Sequence, residues 1–149
     1  MKRERGENGP EAPEDRELRR ILADARVVAV VGCSRNPSRD SHIVARYLIE
    51  TGYEVIPVNP MAEGRILGRP VSRSLEEIEG PIDIVDVFRP ASEAPAVAEA
   101  AVRAGARVLW LQLGIRSREA AEIAAAAGLA VVQDRCIMRE HRRLFGRGS

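Results

Sequence analysis

The chain has 149 residues, a length typical of one globular domain, and its 23 basic and 22 acidic side chains leave a net charge of +1. This balance excludes the strong positive charge with which proteins bind nucleic acids or anionic membranes non-specifically. Two cysteines and two histidines are present without CxxC or HExxH spacing, so we expect no metal site. No apolar run approaches the ~20 residues of a membrane span, and no signal peptide is visible, which predicts a cytoplasmic protein.

The amino-terminal segment differs in composition from the rest. Residues 1–13 are polar, contain two glycines and two prolines and show no periodicity, which predicts a disordered leader. From residue 14 onward apolar residues recur at helical spacing, as at Leu18, Ile21 and Leu22. We therefore expect a single domain over residues 14–149.

Short apolar runs then alternate with amphipathic helical patterns. Strands are predicted at 27–31, 54–58, 82–88, 108–113 and 129–132. Helices are predicted at 14–25, around 43–48 before Gly52, after the capping-box pattern at Ser74–Glu77, and at 92–104, 117–127 and 137–145. Continuous apolar runs are typical of strands buried on both faces, so the fold class is α/β, a doubly wound (Rossmann-like) parallel five-stranded sheet flanked by helices. The dinucleotide-type start at Gly32 favours the strand order 3-2-1-4-5.

The loop after the first strand carries a signal for phosphate binding. Ligands of such sheets bind beyond the carboxyl ends of the strands, here expected between the first and fourth strands. Residues 32–41 lead from a buried strand to a helix N-terminus, whose free N–H groups and dipole favour an anion. Arg35 and Arg39 flank the loop, and Ser34, Ser38 and Ser41 add hydroxyl groups. The alternative is a solvated loop in which Ser38 or Ser41 only caps the helix.

The loop departs from the fingerprint of NAD-binding proteins. The G-x-G-x-x-G pattern needs glycine at positions occupied by Ser34 and Pro37, and the second strand ends in Asn59 instead of an acidic residue. An adenosine could still lie against Pro60, with Asn59 hydrogen-bonding an adenine edge or a hydroxyl. An NAD(P)-dependent oxidoreductase with an atypical phosphate loop is therefore the weaker alternative.

Motifs at five strand ends together carry a family resemblance. They are Gly32-Cys33-Ser34 with Pro37, Arg39 and Ser41, then Pro57-Val58-Asn59-Pro60, Asp86-Val87-Phe88-Arg89, Trp110-Leu111-Gln112-Leu113-Gly114, and Asp134-Arg135-Cys136. In this order they resemble the small bacterial stand-alone CoA-binding proteins, which look like the N-terminal CoA-binding domain of the succinyl-CoA synthetase alpha subunit. The resemblance covers about residues 15–145 and implies coenzyme A or an acyl-CoA as the ligand.

The resemblance also implies positions for the parts of the ligand. Phosphates would contact the loop after the first strand, adenosine the end of the second, a phosphate or pantetheine the end of the third, and the pantetheine arm the end of the fourth. The cofactor-binding residues implied in this way are Gly32, Cys33, Ser34, Pro37, Arg39, Ser41, Val58, Asn59, Pro60, Phe88, Arg89, Gln112, Gly114 and Ile115. Cys33 stands where alanine is commoner in such loops, so any role of its thiol is particular to this chain.

No pattern predicts catalysis. At the expected ligand edge only Cys33, Cys136, His42 and Asp134 have suitable chemistry, and no spacing ties two of them together. We expect no catalytic residues and a non-catalytic carrier, sensor or subunit of an acyl-CoA system, with homodimerisation left open. A module that kept the fold and lost the ligand is a third hypothesis, disfavoured because Arg39, Asn59 and Arg89 are present together.

Several titratable residues have structural or surface interpretations. Asp83 and Asp86 are expected to be hydrogen-bonded structural carboxylates, and His42 and His141 to lie at the surface. The adjacent helix N-terminus and Arg39 predict a lowered pKa for the Cys33 thiol. A thiolate at Cys33 or Cys136 could attack an oxidised CoA disulfide, which would form a mixed disulfide and release CoA as a thiolate.

Overall fold

The computed structural model describes residues 12–146. The predicted leader therefore lies largely outside the described residues, and the first helix begins at Pro13. The helices are α1 (Pro13–Asp24), α2 (Asp40–Glu50), α3 (Ala94–Arg103), α4 (Arg118–Ala126) and α5 (Ile137–Phe145). The strands of the main sheet are β1 (Val27–Val31), β2 (Glu54–Val58), β3 (Ile84–Val87), β4 (Val108–Leu111) and β5 (Ala130–Val132). A small antiparallel hairpin (Arg65–Ile66 with Arg69–Pro70) follows β2.

The main sheet is parallel throughout and confirms the predicted fold class. Its strand order is β2-β1-β3-β4-β5, so β3 pairs with β1. The expected order 3-2-1-4-5 is wrong, because the outer edge of β2 is already used by the returning chain. Ser72 N–H donates to the Pro57 carbonyl at 2.9 Å, and Asn59 N–H donates to the Ser72 carbonyl at 2.9 Å. The four residues of β3 are all buried and occupy the centre of the sheet.

This order moves the expected binding position. In a sheet of order 2-1-3-4-5, the direction of the connections reverses between β1 and β3. Sheets of this kind bind ligands in a crevice at the carboxyl edge where this direction reverses. The ligand site is therefore expected between the loops after β1 and β3, and not between the first and fourth strands.

Two apolar layers cover the sheet. On one face α1, α2 and α5 pack on Val28, Val30 and Trp110; on the other, the alanine-rich helices α3 and α4 pack on residues such as Val85 and Leu109. Small alanine side chains allow these two helices to approach the sheet and one another closely. The indole of Trp110 is fully buried and donates to the Arg135 carbonyl at 2.8 Å. The core is thus built from Val, Ile, Leu and Ala, as the low aromatic content requires.

Local signals outside the sheet are only partly correct. The segment after Ser74 is a single 3-10 turn, Leu75–Glu77, and the Ser74 side chain does not cap it. The Glu77 carboxylate instead accepts from Arg73 N–H at 2.8 Å. Asp83 is structural as predicted, because Oδ2 accepts from the N–H groups of Arg26 and Val27 at 2.8 and 2.9 Å. Within residues 12–146, no helix has the length and apolar character needed to cross a membrane.

Candidate functional site

An open cleft of about 620 Å³ lies at the carboxyl edge of β1, β2 and β3. Nine residues line it: Gly32, Ser34, Ser38, Arg39, Asp40, Ser41, Asn59, Phe88 and Arg89. Seven belong to the set implied by the family resemblance. Ser38 was noted only for its hydroxyl, and Asp40 was missed, although its place in the first turn after the loop is the signal that would have found it.

Gly32 makes the close approach of two loops possible. Its φ is +88°, a left-handed conformation that L side chains rarely adopt. Its N–H donates to the Val58 carbonyl at 2.8 Å, which turns the chain sharply at the end of β1. A Cβ at this position would lie 3.0 Å from Arg89 Cδ, so the glycine also lets the loop after β3 close against the loop after β1.

The loop between Gly32 and α2 is held by its own polar groups. Ser34 N–H donates to Ser41 Oγ at 2.9 Å, while Ser34 Oγ accepts from Asn36 N–H at 3.0 Å. Asn36 Oδ1 in turn accepts from Ser38 N–H at 3.0 Å. These bonds order the loop before any ligand arrives, which lowers the entropic cost of binding.

The N-terminus of α2 is left open by this arrangement. The capping position is Arg39, whose side chain makes no cap, so the alternative in which Ser38 or Ser41 caps the helix is not observed. The N–H groups of Asp40 and Ser41 have no hydrogen-bond acceptor in the described part of the chain. The exposed Arg39 guanidinium likewise makes no hydrogen bond or ion pair with residues 12–146. Two free N–H groups, a helix dipole and a free cation thus converge on the cleft.

The other two arginines near the cleft are engaged. Arg35 donates to the carbonyls of Glu63 and, at 2.9 Å, Arg65, and so ties the loop to the hairpin instead of flanking an anion. Arg89 forms a two-pronged ion pair with Glu93, with both N···O distances 2.9 Å. Both side chains of this pair are about half exposed, so solvent screens the pair and a phosphate can compete for Arg89.

Asn59 is a structural clamp between loops. Its Nδ2 donates to the Cys33 carbonyl at 2.9 Å, and its Oδ1 accepts from Met61 N–H at 2.9 Å. Both ends of the amide are therefore bonded to backbone, which leaves one N–H and one oxygen lone pair for the expected hydrogen bond to an adenine edge. Val58 is buried and Pro60 is exposed, so only the proline offers a free apolar surface here.

The side chain of Cys33 points away from the cleft. It is fully buried among the apolar residues beneath α2, and no residue from Pro13 onward pairs with it in a disulfide. Burial, and secondarily the charge of Asp86, raises the pKa of this thiol to about 11. The expected lowering of the pKa is wrong, because the helix N-terminus and Arg39 act on the cleft side of the loop.

Asp86 also departs from expectation. It lies in the middle of β3 and is completely buried, yet neither carboxylate oxygen has a hydrogen-bond partner among the described residues. Burial raises the pKa of this carboxyl well above its usual value. The expectation of a hydrogen-bonded structural carboxylate holds for Asp83 and fails for Asp86.

Both histidines are more enclosed than expected. His42 is buried, and its Nδ1 donates to the Ser34 carbonyl at 2.8 Å, since a carbonyl oxygen can only accept. His141 is half-buried and pairs with the Tyr47 hydroxyl at 2.7 Å, with the rings of Tyr53 and Phe145 against it. Desolvation lowers the pKa of His141.

The residues expected along a pantetheine arm lie outside this cleft. Gln112 is buried, and its Oε1 accepts from Ile137 N–H at 3.0 Å at the start of α5. Gly114 N–H donates to Asp134 Oδ1 at 2.6 Å, and Ile115 packs on the core under α3 and α4. A second cleft of about 610 Å³ opens beyond them, with Leu113, Asp134 and Cys136 in its wall.

Within residues 12–146, no group of three or more His, Cys, Asp or Glu side chains could hold a metal ion.

Comparisons with known proteins agree with the fold and identify the family. The sequence model described as "CoA binding domain" matches residues 26–142. The chain is similar to the uncharacterized protein YneT of Bacillus subtilis (strain 168), with 42% identity over 129 residues that cover 87% of this chain and 95% of YneT. A hypothetical protein from Pyrococcus horikoshii OT3 superposes with a TM-score of 0.86 and 41% identity, covering 98% of this chain and all of that one. The dinucleotide-forming acetyl-coenzyme A synthetase 1 of Ca. Korarchaeum cryptofilum shares the fold, with a TM-score of 0.66, 22% identity, and coverage of 74% of this chain and 26% of that one.

Proposed function

The chain belongs to the CoA-binding domain family, and we propose that it binds coenzyme A or an acyl-CoA in the cleft between the loops after β1 and β3. The diphosphate lies at the N-terminus of α2, where it accepts from the N–H groups of Asp40 and Ser41 and pairs with Arg39. The adenosine lies against Pro60. Arg89 releases Glu93 and pairs with a second phosphate instead.

The observation that carries this proposal is the unsatisfied donor set at the start of α2. Helix N–H groups that lack an acceptor, beside a guanidinium that lacks a counter-ion, are a complement to phosphate oxygens. The positive φ of Gly32 keeps the cleft free of a side chain at its deepest turn. The carboxylate of Asp40 lines the same cleft and would repel a phosphate placed over it, so the phosphates lie toward Arg39.

The proposed role is binding without turnover, as a carrier, sensor or subunit of an acyl-CoA system. Acyl transfer or hydrolysis needs a nucleophile with a base oriented by hydrogen bonding. In the described part of the cleft the hydroxyls of Ser34 and Ser41 are bonded to backbone N–H groups, and the thiol of Cys33 is turned into the core. A mixed disulfide between Cys33 and CoA, which the sequence suggested, would require this loop to open.

The choice of ligand can be tested by thermal unfolding. A ligand that binds only the folded chain raises the melting temperature by mass action. CoA is expected to raise it, and NAD is not, since β2 ends at Asn59 without a carboxylate for a ribose hydroxyl. Equal shifts from CoA and NAD, or a shift from NAD alone, would favour the oxidoreductase alternative.

The placement of the phosphates can be tested with two arginines of one loop. Arg39→Ala removes the free guanidinium and is expected to weaken CoA binding by roughly tenfold or more, because a hydrogen bond to a charged group contributes ~1.5–3 kcal/mol. Arg35→Ala removes the same charge from the same loop, but from a side chain bonded to the hairpin, and serves as the matched control. Calorimetric dissociation constants that change equally in both variants would show a general charge effect and place the phosphates elsewhere.

A further inference from the structure

Asp86 is a buried titratable group near the cleft that the proposed binding mode does not use, and within residues 12–146 neither of its oxygens has a hydrogen-bond partner. Its register neighbours are Val30 on β1 and Trp110 on β4, and all three residues are fully buried. A carboxyl group in such a place loses its hydration and gains no hydrogen bond, which destabilises the folded chain. A strand position in the centre of a sheet would ordinarily hold an apolar residue, so the carboxyl group calls for a functional explanation.

No described charge compensates Asp86 from the elements packed on its face of the sheet. The buried thiol of Cys33, in the loop after β1, interacts electrostatically with Asp86. The buried His42, on α2, is hydrogen-bonded to the Ser34 carbonyl. The charged side chains of α2, Asp40, Arg46 and Glu50, are exposed, and on α5 Glu140 pairs with Arg143 and Arg135. On α1, Asp15 pairs with Arg143 and Glu14 with Arg135. Burial alone accounts for the raised pKa of Asp86.

Asp86 lies two residues before the cleft along β3, and its register partner Val30 lies two residues before Gly32. Cys33 follows Gly32, Asp86 precedes Phe88 by two residues, and both Gly32 and Phe88 line the cleft. The intervening medium is packed protein, which screens charges far less than water does. An ionised Asp86 would therefore act on phosphates in the cleft, whereas its protonated form would not.

On the premise that the cleft binds CoA, we propose that Asp86 couples binding to pH: the cleft holds the polyanion while the Asp86 carboxyl carries its proton, and ionisation of Asp86 weakens binding. Above the pKa of Asp86 in the free protein, CoA then binds together with one proton taken up by Asp86. The bound polyanion in turn holds this proton more tightly, because the coupling between the two sites is reciprocal.

The test is calorimetry of CoA binding between about pH 6 and pH 10, in pairs of buffers with different ionisation enthalpies. Asp86→Asn removes the titration and keeps the side-chain shape. Asp83→Asn, at the other end of the same strand, is the matched control, because Asp83 is hydrogen-bonded and remote from the cleft. The titrating groups of CoA itself are common to all variants and cancel in the comparison.

The expected result is a wild-type dissociation constant that rises with pH relative to that of Asp86→Asn, by up to about tenfold per pH unit for one coupled proton. Asp83→Asn should follow the wild type. Parallel pH profiles of wild type and Asp86→Asn would overturn the inference while leaving CoA binding intact, whereas absence of CoA binding at neutral pH in the wild type would refute the proposed function and the inference with it. If Asp86→Asn does not fold, the buffer pairs still decide, since wild-type binding without proton uptake beyond that of CoA overturns the coupling.

Discussion

Replacing Asp86 by valine should stabilise the fold, although it changes a residue at the centre of the sheet. Valine has nearly the volume of aspartate, and its β-branched side chain suits a strand flanked by Val30 and Trp110. A buried polar group without a hydrogen bond costs about 1–3 kcal/mol, and complete burial of valine contributes about 1.5 kcal/mol. Asp86→Val is therefore expected to raise the free energy of unfolding by about 2.5–4.5 kcal/mol where the carboxyl is protonated in both states.

The stabilisation by Asp86→Val should increase as the pH rises. The folded state holds the Asp86 proton because burial raises its pKa, while the unfolded chain releases that proton above about pH 3.9. The unfolded state then binds fewer protons, so the wild type loses about 1.4 kcal/mol of stability per pH unit until the folded pKa is reached.

Urea unfolding of both proteins at about pH 5, 6 and 7 measures this difference, and the other titrating groups cancel in it. A wild type more stable than the variant, or a difference that does not change with pH, would show that Asp86 is solvated or hydrogen-bonded in solution.

Two further predictions concern groups whose pKa is shifted by burial. The thiol of Cys33, fully buried and with a pKa of about 11, should react with iodoacetamide only as the chain unfolds, as followed by intact mass; rapid labelling of the native protein at Cys33 would contradict the inward orientation. Desolvation lowers the pKa of His141 in the folded state. As the pH falls below about 6.5, the unfolded state therefore binds a proton before the folded state does, and the free energy of unfolding decreases. His141→Gln should therefore lose less of its melting temperature than the wild type between about pH 7.5 and 5.5, and equal losses would assign the effect to other groups.

The candidate site shows how far residue type alone can lead. Arg35 and Arg39 occur four residues apart in one loop and have the same chemistry, so the sequence assigns both to an anion. The structure separates them because the hairpin after β2 returns within reach of Arg35 and offers it carbonyl oxygens, while Arg39 stands at the open helix end. Asn59 is a similar case. Its residue type suggests a contact with the ligand, whereas the structure shows its amide hydrogen-bonded to the Cys33 carbonyl and to Met61 N–H.

The local elements of this protein can be predicted from its sequence. The strands predicted at 27–31 and 54–58 have those same limits in the structure, and the helix at 137–145 begins and ends as its periodicity predicts. These features depend on neighbouring residues, through side-chain periodicity and the conformational preferences of glycine. The turn at Gly32 and its place at the ligand edge follow from the same local signals.

The order of the strands and the state of each carboxyl group were decided only by tertiary structure. β3 lies beside β1 because Ser72, far along the chain, occupies the edge of β2, and local patterns carry no record of that contact. Asp83 and Asp86 are three residues apart in one segment. Asp83 accepts from the backbone N–H groups of Arg26 and Val27, whereas Asp86 finds no hydrogen-bond partner among the described residues. Which partner a polar group finds depends on long-range packing, because hydrogen bonds act over about 3 Å while the partners lie tens of residues away.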